Sequence, residues 1–445
     1  MSRVVTRFPP SPTGLLHAGN YRTAVFNYLF AKKHGGAFLV RIEDTDRARS
    51  KPEYEQNILE TLAWLGFASD EAPVRSSERL ERHKEMLAKV IAEDKAYVSR
   101  EPKKDDPSQM IEVVRLRNPG TTITFHDEIR GDITFDTTEH GDFVIARAVD
   151  DPLYHFAVVV DDADAGITHI IRGDDHISNT ARHILIQRAL GIPVPIYAHM
   201  PLVLGTDHAK LSKRRGAKAL TEYREMCILP EAMLNYLAFL GWNPGDDREY
   251  LSRKELIDAF DLSRVQKGGA VFDETKLLSV NQHWMRGLST DDFISRGNLT
   301  AGDAEMLRKA VPLLKERTHT FGEAREMLRG ELSCLFHEPV LDRNKLLAKE
   351  LSERPGIAKL ALEALISPIN GLQEGATAEE VKVVLMPIAD AQEAEAKGGR
   401  GAVLWPLRYA LSGQERSPDP FTLISILGNE EATKRIRKAI GIIEG

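Results

Sequence analysis

The chain has 445 residues, 42% of them hydrophobic and 28% charged, and a formal charge of −7, which describes a soluble globular protein of about three ordinary domains. No run approaches the ~20 apolar residues of a membrane span, and no charged, apolar, cleavable leader opens the chain, so the expected location is the cytoplasm. The acidic total excludes a uniformly basic nucleic-acid coat protein but leaves room for a local basic face.

In chain order, Val4 to Phe8 is β-branched and aromatic enough for a buried strand. The prolines of R-F-P-P-S-P-T-G-L-L-H-A-G-N, Arg7 to Asn20, stop that strand, and Gly14 permits a tight turn. A helix is predicted to open at Asn20, with Tyr21, Ala24, Val25, Tyr28 and Leu29 at helical spacing, until Gly35 and Gly36 end it. A second strand, Ala37 to Glu43, completes a βαβ unit whose first loop lies where open parallel sheets bind nucleotides. The helix opening offers unpaired backbone N–H groups and a positive dipole end to a phosphate, and His17 and Asn20 add side-chain donors. Alone, H-x-G-N is a weak signal; its place between strand and helix strengthens it. In R-I-E-D-T-D, Arg41, Glu43, Asp44 and Asp46 close the second strand. Two readings stand for Glu43 at this point: it holds an ammonium group, or it pairs with a neighbouring arginine.

Pro52 to Leu65 and Ser77 to Ile91 read as amphipathic helices covering the sheet. From Tyr97 to Asp151 the pattern changes to short alternating strands, such as Thr121 to Phe125 and Ile133 to Asp136, and reads as a small α/β insert. Strands are predicted again at Tyr154 to Val160 and Ile167 to Ile171, with Asp161, Asp162 and Asp164 as an acidic turn between them. R-G-D-D-H, Arg172 to His176, leads into a helix from Thr180 to Leu190, and a further apolar stretch runs from Ile196 to Leu204. H-A-K-L-S-K-R-R-G, His208 to Gly216, is a short basic loop able to close over a triphosphate, or equally an exposed basic turn. Beyond it the chain reads as almost entirely helical.

The two cysteines, Cys227 and Cys334, suffice for neither a disulfide framework nor a Cys-rich zinc site and read as buried thiols. His169, His176 and His183 are spaced by sevens across changing secondary structure, which argues against a metal cluster. Lys434, Arg435, Arg437 and Lys438 read as a solvated helix face.

Taken together, R-F-P-P-S-P-T-G-L-L-H-A-G-N, G-G-A-F-L-V-R-I-E-D-T-D, I-I-R-G-D-D-H and K-L-S-K-R-R-G, in this order and at this spacing, resemble the bacterial glutamyl-tRNA synthetases. G-G-A-V-F-D-E-T-K-L from Gly268 and L-R-Y-A-L-S-G from Leu407 extend the resemblance over nearly the whole chain. The resemblance implies a class I aminoacyl-tRNA synthetase: an α/β Rossmann-type catalytic domain split by an α/β insert, followed by an all-helical C-terminal half. The implied division is 1–96 and 153–216 for the catalytic halves, 97–152 for an acceptor-binding insert, 217–318 for a stem-contact domain and 319–445 for a helical anticodon-binding domain.

The implied reaction joins L-glutamate to ATP as glutamyl-adenylate, then passes the glutamyl group to the terminal ribose hydroxyl of tRNA(Glu), with tRNA(Gln) as a further possible acceptor. By the same resemblance His17, Asn20, Lys210 and Lys213 are the catalytic groups. Gly19, Asp175 and Ser212 join them in binding ATP, and Arg7, Ser11, Glu43, Tyr154 and Arg172 bind glutamate. Guanidinium forks suit a carboxylate, and a migrating phosphate charge calls for fixed cations. Mg²⁺ is expected with the ATP; no protein metal site and no zinc are expected, since Tyr97 to Pro102 holds no cysteine where some relatives build a zinc site. No membrane partner is expected, and the resemblance suggests a monomer.

Two features depart from the usual pattern: Asp174 replaces the glutamate of R-G-E-D-H, and the insert is short. A tRNA-modifying paralogue would stop soon after the catalytic half, whereas this chain continues far beyond Gly216. A catalytically silent tRNA-binding relative is disfavoured by the intact His17, Lys210 and Lys213.

Overall fold

A computed structural model describes residues 3–103, 105–395 and 400–445. The chain divides into two compact units, 1–281 and 282–445.

The first unit is built on parallel strands. Strand β1 (Val5–Phe8) leads through the proline-rich loop into helix α1 (Ala18–Lys33), and β2 (Ala37–Ile42) returns parallel to β1 with Val5 opposite Ala37. After α2 (Pro52–Leu65), β3 (Val74–Arg75) extends this sheet beyond β2, and α3 (Leu80–Ala92) follows. The segment between α3 and the next helix folds as β4 (Ala96–Lys103), β5 (Asp106–Leu116), the hairpin β6 (Thr122–Asp127) and β7 (Gly131–Asp136), then β8 (Phe143–Ala148) and β9 (Asp151–Pro152). β4, β5, β8 and β9 form an antiparallel sheet.

The β6–β7 hairpin takes a different course. It joins β10 (His169–Gly173) and β11 (Ile196–Met200) in the order β10-β11-β6-β7, with Asp127 opposite Tyr197. Thr168 links this sheet to β1: its N–H donates to Val5 O (3.0 Å), its Oγ1 accepts from Val5 N (2.8 Å), and its carbonyl accepts from Ile196 N (2.9 Å). The carboxyl ends of β1, β2 and β10 therefore share one edge, the edge at which such sheets bind ligands.

α1 starts earlier than its apolar spacing predicts. His17 is the N-cap: its Nδ1 accepts from Gly19 N (3.1 Å), while its own N–H donates to Asn20 Oδ1 (3.2 Å). An imidazole can replace the usual hydroxyl or carboxylate cap, a substitution that spacing alone does not signal. α1 is enclosed on several sides; Phe26 meets Phe260 edge-on at 5.2 Å, and Arg22 is buried with its guanidinium on the carbonyls of Leu240 and Pro201.

The strand expected over Tyr154 to Val160 is instead helix α4 (Tyr154–Asp164), and Asp161, Asp162 and Asp164 belong to that helix rather than to a turn. A short β-branched run buried on all sides satisfies either conformation, and periodicity cannot separate them. Phe156 to Val160 pack into the core with residues of α5 (Ile177–Leu190), so tertiary packing decides. Beyond α5, β12 (Val203–Leu204) pairs in parallel with β13 (Ala270–Val271), and helices α6 (Leu220–Glu225), α7 (Pro230–Phe239), α8 (Arg253–Ala259) and α9 (Glu274–Arg286) complete the region.

The second unit is helical, from Thr290–Gly297 to Asn429–Glu444. Two expectations change. Cys227, in the first unit, is half-buried rather than buried, with φ at 63° and Sγ 3.4 Å from Glu225 O. Arg435 is not on a solvated face: it is 4% exposed and donates to Cys334 O (2.7 Å), Leu411 O (2.6 Å) and Glu431 Oε1 (2.8 Å). Its neighbours Lys434, Arg437 and Lys438 are exposed, as the basic run suggests. Cys334 is buried, and burial pushes its thiol up to about 11. Because Arg435 ties three segments together by charge-assisted bonds, Arg435→Ala is expected to destabilise the helical unit by about 2–3 kcal/mol. Equilibrium denaturation of the full chain, followed at the transition of this unit, measures the loss; an unchanged midpoint would contradict this role.

Candidate active site

A cavity of about 680 Å³ opens at the shared carboxyl edge, lined by the loop after β1, the start of α1 and the ends of β2 and β10. Arg7, Ser11, His17, Gly19, Asn20, Glu43, Tyr154, Arg172, Asp175 and Lys210 all line it. Segments separated by up to two hundred positions in the chain thus meet around one space. Ser212 and Lys213 are not in its lining; Ser212 caps the 3-10 turn Lys213–Arg215, which Gly216 closes at φ 81°.

Two of the lining residues, Arg7 and Glu43, belong to a buried network of charges. Arg7 is 2% exposed, and its Nε donates to Asp162 at 3.2 Å. Arg41 reaches the same carboxylate through Nη1 (2.7 Å) and donates through Nε to Glu43 Oε1 (2.8 Å). Ser76 Oγ lies 3.2 Å from Glu43 Oε2 and 2.6 Å from Asp161 Oδ2, and Asp161 also receives Arg79 and His83. Burial alone would raise the Asp162 carboxyl, but Arg7 and Arg41 outweigh it and hold its pKa below the ordinary value. For Glu43 the balance is reversed: burial holds its pKa above the usual range despite Arg41. Arg7 Nη1 is buried and has no hydrogen-bond partner among the described residues.

On the β10 side, Arg172 is 6% exposed and crosses the Tyr197 ring at 5.4 Å. Its Nε donates to His199 Nε2 (3.1 Å), and Nη2 donates to Thr180 Oγ1 (2.8 Å) and His176 O (3.3 Å). Its Nη1 lies 3.2 Å from His183 Nδ1. Burial, and then the Arg172 charge, push His183 well below its ordinary pKa and His176 down to about 4. Tyr154, the first residue of α4, is raised by burial and then by Glu43.

The α1 side carries the helix start, the His17 ring and nearby lysines. Burial, followed by the charges of Lys213 and Lys210, holds the His17 pKa below its usual value. With Nδ1 accepting from Gly19 N, the proton of the neutral ring sits on Nε2. Lys210 Nζ rests on Asp175 Oδ2 at 2.6 Å, an exposed pair, and Asp174 is bound by Arg130 Nη2 at 2.7 Å.

Sequence reasoning passed over Asp162, Ser76, His83, Asp127 and His199 as parts of the site. Arg7 and Arg41 carried the available signal: two buried guanidinium groups on adjacent strands demand buried carboxylates nearby. Asp161 and Asp162, assigned to a turn, were the candidates. His199 lies inside an apolar strand and gave no sign.

Three comparisons with known proteins bear on this geometry. The family described as tRNA synthetases class I (E and Q), catalytic domain, matches residues 3–109 and 100–279, and the family described as anticodon binding domain matches 279–440. Glutamate–tRNA ligase 2 of Chelativorans sp. (strain BNC1) is 40% identical, with 98% of each chain covered. Glutamate–tRNA ligase 1 of Syntrophus aciditrophicus is 38% identical, over 100% of this chain and 98% of its own. Among solved structures, a glutamate tRNA ligase from Elizabethkingia meningosepticum in complex with its amino acid superposes with a TM-score of 0.82 at 30% identity, covering 99% of both chains. From its first strand to its last helix, this chain belongs to the class I tRNA synthetases of the glutamate and glutamine type and is similar over its full length to glutamate–tRNA ligases.

Proposed function

We propose that the chain ligates L-glutamate to the 3′ end of tRNA(Glu) at the expense of ATP, with the cavity at the β1–β10 edge as its active centre. The observation that carries this reading is the convergence of Arg7, Glu43 and Arg172 with His17, Asn20 and Lys210 on one space. A carboxylate oxygen of glutamate attacks the α-phosphorus of ATP, the bond to the β-phosphate oxygen breaks, and pyrophosphate leaves. The terminal ribose hydroxyl of the tRNA then attacks the glutamyl carbonyl and AMP departs. No covalent enzyme intermediate is required.

Each role follows from a physical property of the side chain. The His17 ring, kept neutral with its proton on Nε2, is a donor for phosphate oxygen. Lys210, parked on Asp175, and Lys213, whose charge is felt at His17, supply cations for the developing pyrophosphate. Asn20 and Gly19 shape the helix start against the nucleotide; Asp175 and Ser212 complete the ATP contacts, and Mg²⁺ arrives as part of the nucleotide substrate. Arg172 and Arg7, whose Nη1 has no partner among the described residues, pair with the side-chain carboxylate of glutamate. Tyr154 adds a hydroxyl, and Ser11 stands beside the α-carboxyl end. Glu43, with its pKa raised by burial, takes the substrate ammonium as a second counter-charge beside Arg41. Neutral glutamine would leave buried guanidinium groups unmatched and is rejected on that ground.

The insert, 97–152, holds the acceptor end, 217–318 the stem, and 319–445 the anticodon; the enzyme works as a monomer in the cytoplasm. Charging purified glutamate and glutamine tRNAs separately decides whether tRNA(Gln) is also a substrate.

Arg172→Ala is expected to abolish glutamate activation while the fold remains intact; near wild-type ATP–pyrophosphate exchange, with tRNA present, would refute the assignment. Lys210→Ala should lower the exchange rate by about 100-fold with little change in glutamate KM, and an unchanged rate counts against its part in the clamp. Affinity for tRNA should fall steeply between low and moderate salt despite the acidic total charge; a salt-independent Kd would contradict a phosphate-based interface.

A further inference from the structure

His199 and Asp127 lie outside the residues that meet substrate in this reading, and both are fully buried. His199 sits on β11, its ring parallel to Tyr197 at 5.9 Å. Its two nitrogens face opposite demands. Arg172 Nε, which can only donate, lies 3.1 Å from Nε2, so Nε2 must be the bare nitrogen. The proton of the neutral ring is therefore on Nδ1, which lies 2.6 Å from Asp127 Oδ2, an acceptor. Asp127 is itself pinned: its Oδ1 accepts from the backbone N–H of Ile129 (3.0 Å) and Arg130 (2.9 Å), and its Oδ2 accepts from His199 N (3.0 Å). Thr180 Oγ1, 3.1 Å from His199 Nε2 and 2.8 Å from Arg172 Nη2, closes a small ring of bonds around the guanidinium.

We infer that Asp127 and His199 are positioning residues for glutamate recognition: the carboxylate sets the tautomer of the imidazole, and the imidazole locks the guanidinium plane of Arg172 towards the substrate carboxylate. The inference rests on the proposed role of Arg172. It gives the β6–β7 hairpin of the insert a specific task, since Asp127 is the residue by which that hairpin pairs with β11 opposite Tyr197. Burial also holds the His199 pKa below its ordinary value, against the pull of Asp127, which fits a neutral ring accepting from Arg172. A protonated ring would turn Nε2 into a donor facing a donor.

The Asp127→Asn variant reverses this logic. Its amide oxygen is retained by the N–H groups of Ile129 and Arg130, and its NH₂ turns to His199 Nδ1. The proton then moves to Nε2 and confronts Arg172 Nε–H. The test uses the full chain with tRNA, ATP and glutamate. In Asp127→Asn and His199→Leu, the glutamate KM is expected to rise by about tenfold or more, with the ATP KM unchanged. His199→Gln, whose side-chain oxygen reaches the place of Nε2 and accepts from Arg172, is expected to stay near the wild-type glutamate KM. The tautomer is read directly on wild-type protein labelled with ¹⁵N-histidine: the His199 signal should show a protonated Nδ1 and a bare Nε2, independently of whether any variant folds.

A protonated Nε2 in wild-type protein overturns the inference. So does a His199→Leu enzyme with normal glutamate KM beside an inactive Arg172→Ala, or a parallel rise of both KM values in all the variants. Normal glutamate activation in Arg172→Ala instead refutes the role of Arg172, and the positioning role falls with it.

Discussion

The carboxylate of Asp162, held between two guanidinium groups, is the constraint on which the centre of this protein depends. Arg7 on β1 and Arg41 on β2 are both buried, on adjacent parallel strands, and would repel each other in a medium that screens charge poorly. Asp162 enters from α4 and takes Arg7 at 3.2 Å and Arg41 at 2.7 Å. From there the alternation of sign continues through Glu43 and Asp161 to Arg79, and the His83 ring also bonds Asp161. Helix, strands and the 3-10 turn at Ser76 are thereby fixed relative to one another by groups that cannot be removed singly without stranding an opposite charge. Arg7 and Glu43 line the cavity and are held by this network, and the proposed selection of an acidic ligand needs forked donors placed accurately.

The α1 side of the cavity is built on a different principle. Few charges there are buried: Lys210 and Asp175 pair at the surface, and the basic 3-10 turn is exposed. What is firm is the helix start, where the His17 ring accepts from Gly19 N and the Asn20 side chain accepts from His17 N. One side of the site is thus preorganised by buried ion pairs, the other by a capped helix beside exposed cations. That division suits an amino acid that must be discriminated and a triphosphate that must enter, react and leave as pyrophosphate.

How far the sequence foretold this can be judged residue by residue. The βαβ unit, the loop between β1 and α1 and the basic loop after β12 were legible because prolines, glycines and helical spacing are local signals. Tyr154 to Val160 was misread as a strand, since three consecutive valines favour a strand locally, whereas the core requires a helix there. The error hid Asp161 and Asp162, because a turn at the surface gives carboxylates no buried partner. His17 as a helix cap and Arg435 as an internal tie were likewise out of reach: both depend on which atoms lie opposite in space. Residues named from motifs that resemble a family, such as Arg7, His17 and Arg172, meet in the cavity lining, whereas Ser212 and Lys213 do not; Asp162, Ser76 and His199 have no motif and became visible only as partners.

The shared carboxylate beneath the cavity has an evolutionary and engineering corollary. On the proposed role of Arg7, retuning towards an uncharged amino acid cannot proceed by replacing that residue alone, for Asp162 would then keep Arg41 as its one guanidinium partner among the described residues and the interior would lose electroneutrality. Viable changes must come as matched cation-and-anion swaps, so the accessible routes to new specificity pass through paired substitutions on β1 and α4, two segments far apart in the gene.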